Sequence, residues 1–320
     1  MRLASVLTPL SDRNLTLAAQ CGVDEIVARY PRDEPASMAD IQRRVADFGM
    51  RVGVIEGGLP IDLLKTGEDD GTQLAQFQEM LRHLGQLGIP LVCYNFMAGT
   101  DWIRTRVDAP ERGGSLTTAF DLAEAERAQI PGRENHGAGK AMAVTGVTRD
   151  RLWTNLERFL TEVLPVAEAE GVTLVMHPDD PPVPSLLGNE RIMYDVDAFE
   201  RLIDLVPSPS NRIGFCQGTF SEMGIDIPAT IRRLGDKIGY VHFRDVRGTP
   251  ESFAETWQDN GQTDMAEAMR AYREIGYDGP MRPDHVPQMI GEEDGTPGYT
   301  MLGRLFAYGY IRGLMHATAP

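Results

Sequence analysis

The chain is poor in cysteine, in basic residues and in long apolar runs, and each shortage excludes a class of protein. Its 320 residues include only three cysteines, too few for a disulfide framework, so we expect a reducing, cytoplasmic location. Lysine and arginine number 31 against 47 acidic residues, a net charge of −16, which disfavours nucleic acid and anionic membranes as partners. No apolar run approaches the roughly 18 residues of a membrane-spanning helix, and no secretory leader is recognisable.

Short apolar runs alternate with longer amphipathic segments along the whole chain. The amphipathic segments, such as Thr72–Leu87 and Leu152–Ala169, repeat apolar residues every three or four positions, as helices do. Eight strands are predicted, at Leu3–Leu7, Glu25–Arg29, Val52–Glu56, Leu91–Asn95, Thr173–His177, Ile213–Cys216, Gly239–Phe243 and Gly279–Pro283. This rhythm predicts an α/β fold of the (β/α)8 or TIM barrel type. A doubly wound sheet is disfavoured because no GxGxxG turn follows the first strand.

We expect a single barrel domain over residues 1–320, interrupted by a long connection after strand four. Met97–Thr148 is polar and holds Pro, Gly and many charges, so it is predicted to form an extended loop or cap over the mouth of the barrel. Within it, residues 119–128 have the spacing of a helix. A shorter excursion, Arg247–Asp264, follows strand seven. Long connections of this kind in a compact domain are usually functional or disordered.

Four side chains with metal-binding groups stand at the ends of four successive strands, five to eight. They are His177, Cys216, His242 and Asp284. Since the carboxyl ends of barrel strands converge on one mouth, these side chains can meet around a single ion. Imidazoles and a thiolate favour Mn²⁺, Fe²⁺, Co²⁺ or Zn²⁺ over Mg²⁺ or Ca²⁺. Each residue alone has an ordinary alternative, such as a buried apolar thiol or a helix cap.

Several longer motifs resemble those of the mannonate dehydratases, in the same order and over nearly the whole chain. The matching segments are VIEGGLPIDLLKTG from Val54, CYNFM from Cys93 with DWIRT up to Thr105, HPDDPP from His177, GFCQGTFSEMG from Gly214, HFRDVRG from His242 and RPDH from Arg282. The resemblance implies a lyase of hexuronate breakdown that dehydrates D-mannonate to 2-dehydro-3-deoxy-D-gluconate. It also implies that the four strand-end residues bind manganese or a related divalent ion, without an organic cofactor.

The resemblance further implies roles for residues near the last strand. His285 and Tyr299 are expected to take part in proton transfer, with the base and the acid left open between them. Arg244 shares the strand parity of His242, so we expect it to bind the anionic end of the substrate. Asn95 and Arg104 belong to matching motifs and are expected to contact substrate hydroxyls.

The sequence departs from the family pattern in the loop after strand seven. It reads Ser252-Phe253-Ala254-Glu255, where the family pattern has a histidine in place of Ala254. Because loops at the mouth hold substrate contacts, three other functions stay open. They are a metal-dependent sugar isomerase or epimerase, a metal-dependent nuclease, and a non-catalytic protein that binds sugar acids. A homodimer is expected only because two-fold dimers are the commonest assembly.

Overall fold

Eight parallel strands form a closed barrel in the computed structural model, which describes residues 1–127, 134–135, 139–140, 144 and 146–319. We number these strands β1 to β8: Arg2–Val6, Glu25–Ala28, Arg51–Glu56, Leu91–Tyr94, Thr173–Met176, Asn211–Cys216, Ile238–His242 and Pro280–Arg282. Each strand pairs in parallel with the strands before and after it, and β8 pairs with β1. The predicted (β/α)8 barrel is therefore confirmed.

Helices surround the barrel and join its strands. They are α1 Asp12–Gln20, α2 Ser37–Ala46, α3 Asp62–Thr66, α4 Thr72–Gln86, α5 Leu122–Arg127, α6 Arg149–Ala169, α7 Val196–Leu205, α8 Gln217–Glu222, α9 Ile227–Leu234, α10 Met265–Glu274 and α11 Met301–Ala317. Several begin at a side chain that caps the first turn: Asp226 accepts from the Ala229 N–H at α9, and Asp264 from the Glu267 N–H at α10. Among the described residues, none of these helices is long and apolar enough to cross a bilayer.

A four-stranded antiparallel sheet, which we call the outer sheet, lies outside the barrel. Its strands are Arg106–Pro110, Leu116–Asp121, Val246–Thr249 and Ser252–Glu255. Ser252–Glu255 lies between Val246–Thr249 and Leu116–Asp121, so the connections after β4 and β7 are joined. This pairing overrides the helical spacing at residues 119–121, which were predicted to be helical; only 122–127 are helical, and residue 128 lies outside the described residues.

The rest of the predicted cap is only partly described. Residues 128–133, 136–138, 141–143 and 145 lie outside the described residues. Two short antiparallel pairs accompany the outer sheet, Glu134–Asn135 with Gly139–Lys140 and Ser185–Leu186 with Asn189–Glu190. The assignment of a single domain with a cap at Met97–Thr148 stays a prediction.

Aromatic packing on α6 holds the end of β4, which borders the mouth of the barrel. Phe159 is 1% exposed. Its ring centroid lies 4.9 Å from that of Phe77 on α4, 5.6 Å from that of Tyr94 on β4 and 6.1 Å from that of Phe96. The helices α4 and α6 are thereby fixed against the strand that precedes Asn95.

We predict that Phe159→Ala destabilises the protein by about 3–5 kcal/mol, because it removes a large buried ring and leaves a cavity. Urea denaturation followed by circular dichroism measures the change. Phe306→Ala is the matched control, since Phe306 is 37% exposed and its loss should cost much less. Equal effects of the two substitutions would contradict this account of the core.

Candidate metal centre and active site

The four candidate metal ligands meet at the carboxyl ends of the strands. His177 directly follows β5, and Cys216 and His242 are the last residues of β6 and β7. The ligand atoms of these three residues all lie within 4.8 Å of one another. Asp284, which follows β8, brings its Oδ2 to 3.8 Å from Cys216 Sγ and 3.6 Å from His242 Nδ1. The four side chains therefore form one cluster, which we call the ligand cluster.

Both imidazoles of the ligand cluster turn one nitrogen inward. Nδ1 of His177 lies 2.7 Å from the carbonyl oxygen of Pro178, so a proton on Nδ1 leaves the Nε2 lone pair facing the cluster. That Nε2 lies 3.2 Å from Nδ1 of His242. The other nitrogen of His242, Nε2, is buried and lies 3.5 Å from Oε2 of Glu56, with no hydrogen-bond partner among the residues that the structure describes. A carboxylate behind a ligating imidazole is a common arrangement at metal sites.

The electrostatics of the ligand cluster favour a cation. Burial opposes ionisation of the Cys216 thiol, but Arg244 and His177 outweigh it and hold the pKa of the thiol well below its usual range. Burial and Arg282 disfavour protonation of His242, yet Glu56 and Asp284 raise its pKa to about 10. Thiolate and carboxylates thus surround the imidazoles, a donor set that suits a divalent transition metal.

A second group of candidate ligands shares His242 but fits an ion less well. Glu56, Cys93 and His242 also bring ligand atoms within 4.8 Å of one another. Burial, with the nearby Glu56 charge, raises the pKa of the Cys93 thiol well above its usual value. Because the thiolate is the form that ligates metals, the cluster with Cys216 is the better candidate.

The backbone at Asp284 lets two successive side chains face the mouth. Asp284 has φ of +59°, in the left-handed region that Asp tolerates better than most residues. Side chains in an extended strand alternate between the two faces, but this turn breaks the alternation. Oδ1 of Asp284 lies 3.7 Å from Nε2 of His285, so a candidate ion ligand and a proton-transfer candidate are neighbours in space.

His285 and Tyr299 form a hydrogen-bonded pair. Nε2 of His285 lies 2.9 Å from Oη of Tyr299, and Nδ1 lies 2.7 Å from Oε1 of Glu255. Trp102 covers the pair, with its ring centroid 4.6 Å from that of His285. Burial, assisted by the Asp284 charge, raises the pKa of Tyr299 above its usual value, so the phenol carries a proton near neutral pH.

Arg244 and Arg104 lie in a buried ion-pair network behind the ligand cluster. Nε of Arg244 donates to Oδ2 of Asp284 at 2.8 Å, and its other nitrogens donate to Asp180 and Glu222. Every N–H group of Arg104 donates to Asp180, Glu255 or the Ile103 carbonyl. The substrate-binding roles expected for Arg244 and Arg104 stay predictions, and the geometry favours positioning of the acidic side chains instead.

Asn95 lies at the mouth, directly after β4. Its Oδ1 accepts a hydrogen bond of 2.9 Å from Nζ of Lys65, and its Nδ2 donates to Asp101 at 3.3 Å. Asn95 is half-buried, so it is accessible from the mouth. Its expected contact with substrate hydroxyls stays a prediction.

The departure from the family pattern falls in an outer-sheet strand, Ser252–Glu255. Glu255 and Phe253 are buried, whereas Ala254 between them is half-buried. Strand alternation puts Ala254 on the face opposite Glu255, and Glu255 is the residue that contacts His285. The substituted position therefore points away from the proton-transfer pair.

Sequence reasoning missed two acidic residues that support the site. Glu56 is the last residue of β3, a strand-end position equivalent to those used to select the metal ligands. Glu255 reaches His285 only because residues from two distant connections pair in the outer sheet. The position of Glu56 at the end of a predicted strand could have identified it from the sequence. The contact of Glu255 with His285 could not be predicted in this way, because it depends on pairing between distant segments.

Comparison with known proteins agrees with the motifs. Residues 11–319 match the family model described as D-mannonate dehydratase (UxuA). A mannonate dehydratase of Enterococcus faecalis is 35% identical over 309 residues, covering 88% of this chain and 86% of the relative. One from Oceanobacillus iheyensis is 35% identical over 293 residues, covering 86% and 83%.

Solved structures give the same result. The crystal structure of mannonate dehydratase from Streptococcus suis serotype 2 superposes with a TM-score of 0.87 at 27% identity, covering 99% of this chain and 95% of that one. An L-ribulose 3-epimerase structure superposes with a TM-score of 0.63 at 19% identity, over 99% and 95% of the two chains; this likeness shows the fold alone. With the family model matching nearly its whole length, the chain belongs to the D-mannonate dehydratase family.

Proposed function

We propose that this protein is a metal-dependent hydro-lyase that converts D-mannonate into 2-dehydro-3-deoxy-D-gluconate and water. The observation that carries the proposal is the meeting of two imidazoles, a thiolate and a carboxylate beside the His285–Tyr299 pair at one end of the barrel. Membership of the family and relatives named mannonate dehydratase support the same reaction.

The ion would be held by His177, Cys216, His242 and Asp284. When bound there, a divalent ion supplies electrostatic stabilisation for the negative charge that develops on substrate oxygens as C2 loses its proton. We propose Mn²⁺, with Fe²⁺ and Co²⁺ as alternatives, and no organic cofactor, because this mixed donor set suits first-row transition metals.

The proton transfers are assigned to His285 and Tyr299. With its Nδ1 proton donated to Glu255, His285 has a basic Nε2 that can take the proton from C2. The protonated Tyr299 can give its proton to the C3 hydroxyl, which leaves as water while the C2–C3 double bond forms. The resulting enol becomes the 2-keto acid, and His285 returns its proton to Tyr299 across the 2.9 Å hydrogen bond.

Arg244 is proposed to position the Asp284 carboxylate rather than to bind substrate, since its nitrogens all donate to protein side chains. Arg104 would act in the same way on Glu255 and Asp180. A role in hexuronate breakdown, a cytoplasmic location and a homodimer belong to the same proposal, supported by the reaction, the free cysteines and the prevalence of two-fold dimers.

Removal of the ion should abolish formation of the 2-keto-3-deoxy acid from D-mannonate, and Mn²⁺ should restore it. Cys216→Ala should lose both the ion and the activity, because it removes the thiolate of the ligand cluster. Metal content is measured by mass spectrometry and product by colorimetric assay of the keto acid. Cys21→Ala is the matched control, since Cys21 lies outside the site.

Two results would contradict that assignment. Loss of the ion from Cys93→Ala but not from Cys216→Ala would move the site to the group around Glu56. A product with the same mass as D-mannonate would indicate an isomerase or epimerase instead of a dehydratase.

Tyr299→Phe and His285→Asn should each lower kcat about 10²–10⁴-fold, the usual contribution of a positioned acid or base. Both variants should retain the ion, because neither residue belongs to the ligand cluster. The asparagine amide can still donate to Glu255, so the network behind His285 is preserved. Tyr310→Phe on α11 is the control, and wild-type kcat in Tyr299→Phe would refute the role of the phenol.

A further inference from the structure

Lys65 is a buried lysine that makes no ion pair within 4.0 Å with a buried carboxylate of the described residues. It lies in α3 and is 6% exposed, although lysine is rarely buried unless it is paired. The carboxylate within 4.0 Å of its ammonium, in the described part of the chain, is that of Asp62 at 3.7 Å, and that side chain is 73% exposed. Exposed ion pairs contribute little, so the burial of Lys65 calls for another explanation.

The ammonium of Lys65 contacts Asn95, the residue that follows β4 at the carboxyl ends of the strands. Nζ donates to Oδ1 of Asn95 at 2.9 Å. Asn95 directly follows β4, and His177 directly follows the neighbouring strand β5. The N–H of His177 donates to the carbonyl of Tyr94 at 2.7 Å, so Asn95 and His177 stand at the same level. The charges of Lys65 and His177 both act on Asp101.

The arginines on the other side of the mouth are already engaged. Arg104 and Arg244 donate to buried carboxylates, as described above, and Arg282 donates to Glu56 at 2.9 Å and contacts Asp284 at 2.8 Å. Arg29, after β2, is exposed and lies over Gly57. An ammonium carries more N–H donors than the one that Asn95 takes up, so Lys65 has donors left for a ligand.

We infer that Lys65 binds the carboxylate of the sugar acid, with Asn95 holding the ammonium in place. The inference rests on the proposed function, because it assigns a recognition residue to the same site. It also accounts for capture of an anion by a protein with a net charge of −16. A local buried cation offsets the unfavourable long-range field, since charge-assisted hydrogen bonds are strong where water is excluded.

The test compares an anionic with a neutral ligand on the Mn²⁺-loaded protein. Wild-type turnover of D-mannonate is measured first, which tests the proposed function by itself. KM and kcat for D-mannonate and the inhibition constant of neutral D-mannonamide are then measured for Lys65→Met, Lys65→Arg and Arg29→Met. Lys237→Met is the control, because Lys237 lies in the turn before β7 and its side chain is 48% exposed.

Lys65→Met should raise KM for D-mannonate about 10–100-fold, the usual range for a lost hydrogen bond to a charged group, with kcat changed much less. Its inhibition constant for D-mannonamide should stay unchanged, and Lys65→Arg should recover part of the affinity. Equal weakening of acid and amide, an unchanged KM, or a loss carried by Arg29→Met would each overturn the assignment. If Lys65→Met unfolds, Lys65→Arg decides the question. A KM for D-mannonate raised more than the inhibition constant of D-mannonamide supports the assignment, whereas equal weakening of both ligands, or no change in either, overturns it.

Discussion

The ion pair between Arg244 and Asp284 connects the ligand cluster with the surroundings of His285. Asp284 is both a candidate metal ligand and the chain neighbour of His285, so its orientation would affect the proposed ion binding and the proposed proton transfer together. Arg244 fixes Oδ2 of Asp284 at 2.8 Å and extends the contact to Asp180. Asp180 pairs with Arg104, which in turn holds Glu255. A continuous chain of ion pairs therefore runs from the ligand cluster to the Glu255–His285 contact.

Such a network is costly to bury and is poor evidence of stability by itself. Desolvation of several charges is offset only when every partner is present, and removing one partner leaves an uncompensated buried charge. Burial together with the Asp180 charge raises the pKa of Glu222 well above its usual value, which shows how strongly the acids of this network oppose one another's ionisation. The buried acids and the Cys216 thiolate together surround the two imidazoles with negative charge, a setting that favours a cation.

The fold was predictable because each barrel strand is a short apolar run between amphipathic segments. The meeting of the four candidate ligands followed from topology, since the strand ends of a barrel converge whatever the details of packing; that they bind an ion stays a prediction. Alternation of side chains beyond β7 predicted that Arg244 lies on the same side as His242, and both residues contact Asp284. Alternation could not identify the other acids that pair with Arg244. Partners depend on which acids the distant connections bring in, and Glu255 arrives through pairing of the outer sheet. Likewise, strand alternation would separate Asp284 from His285, and only the left-handed turn brings them together.

The site thereby divides between two sides of the mouth. Strands β5 to β8 supply the ligand cluster, while the connections after β3 and β4 supply Lys65 and Asn95. In the proposed mechanism, substrates that share a carboxylate and adjacent hydroxyls would need the same ion and proton-transfer groups, whereas binding of the carboxylate would depend on Lys65. The side chain of Ala254 lies on the face of its strand opposite Glu255, the residue that contacts His285. Discrimination between a sugar acid and a neutral sugar is therefore expected to depend more on Lys65 than on the altered strand.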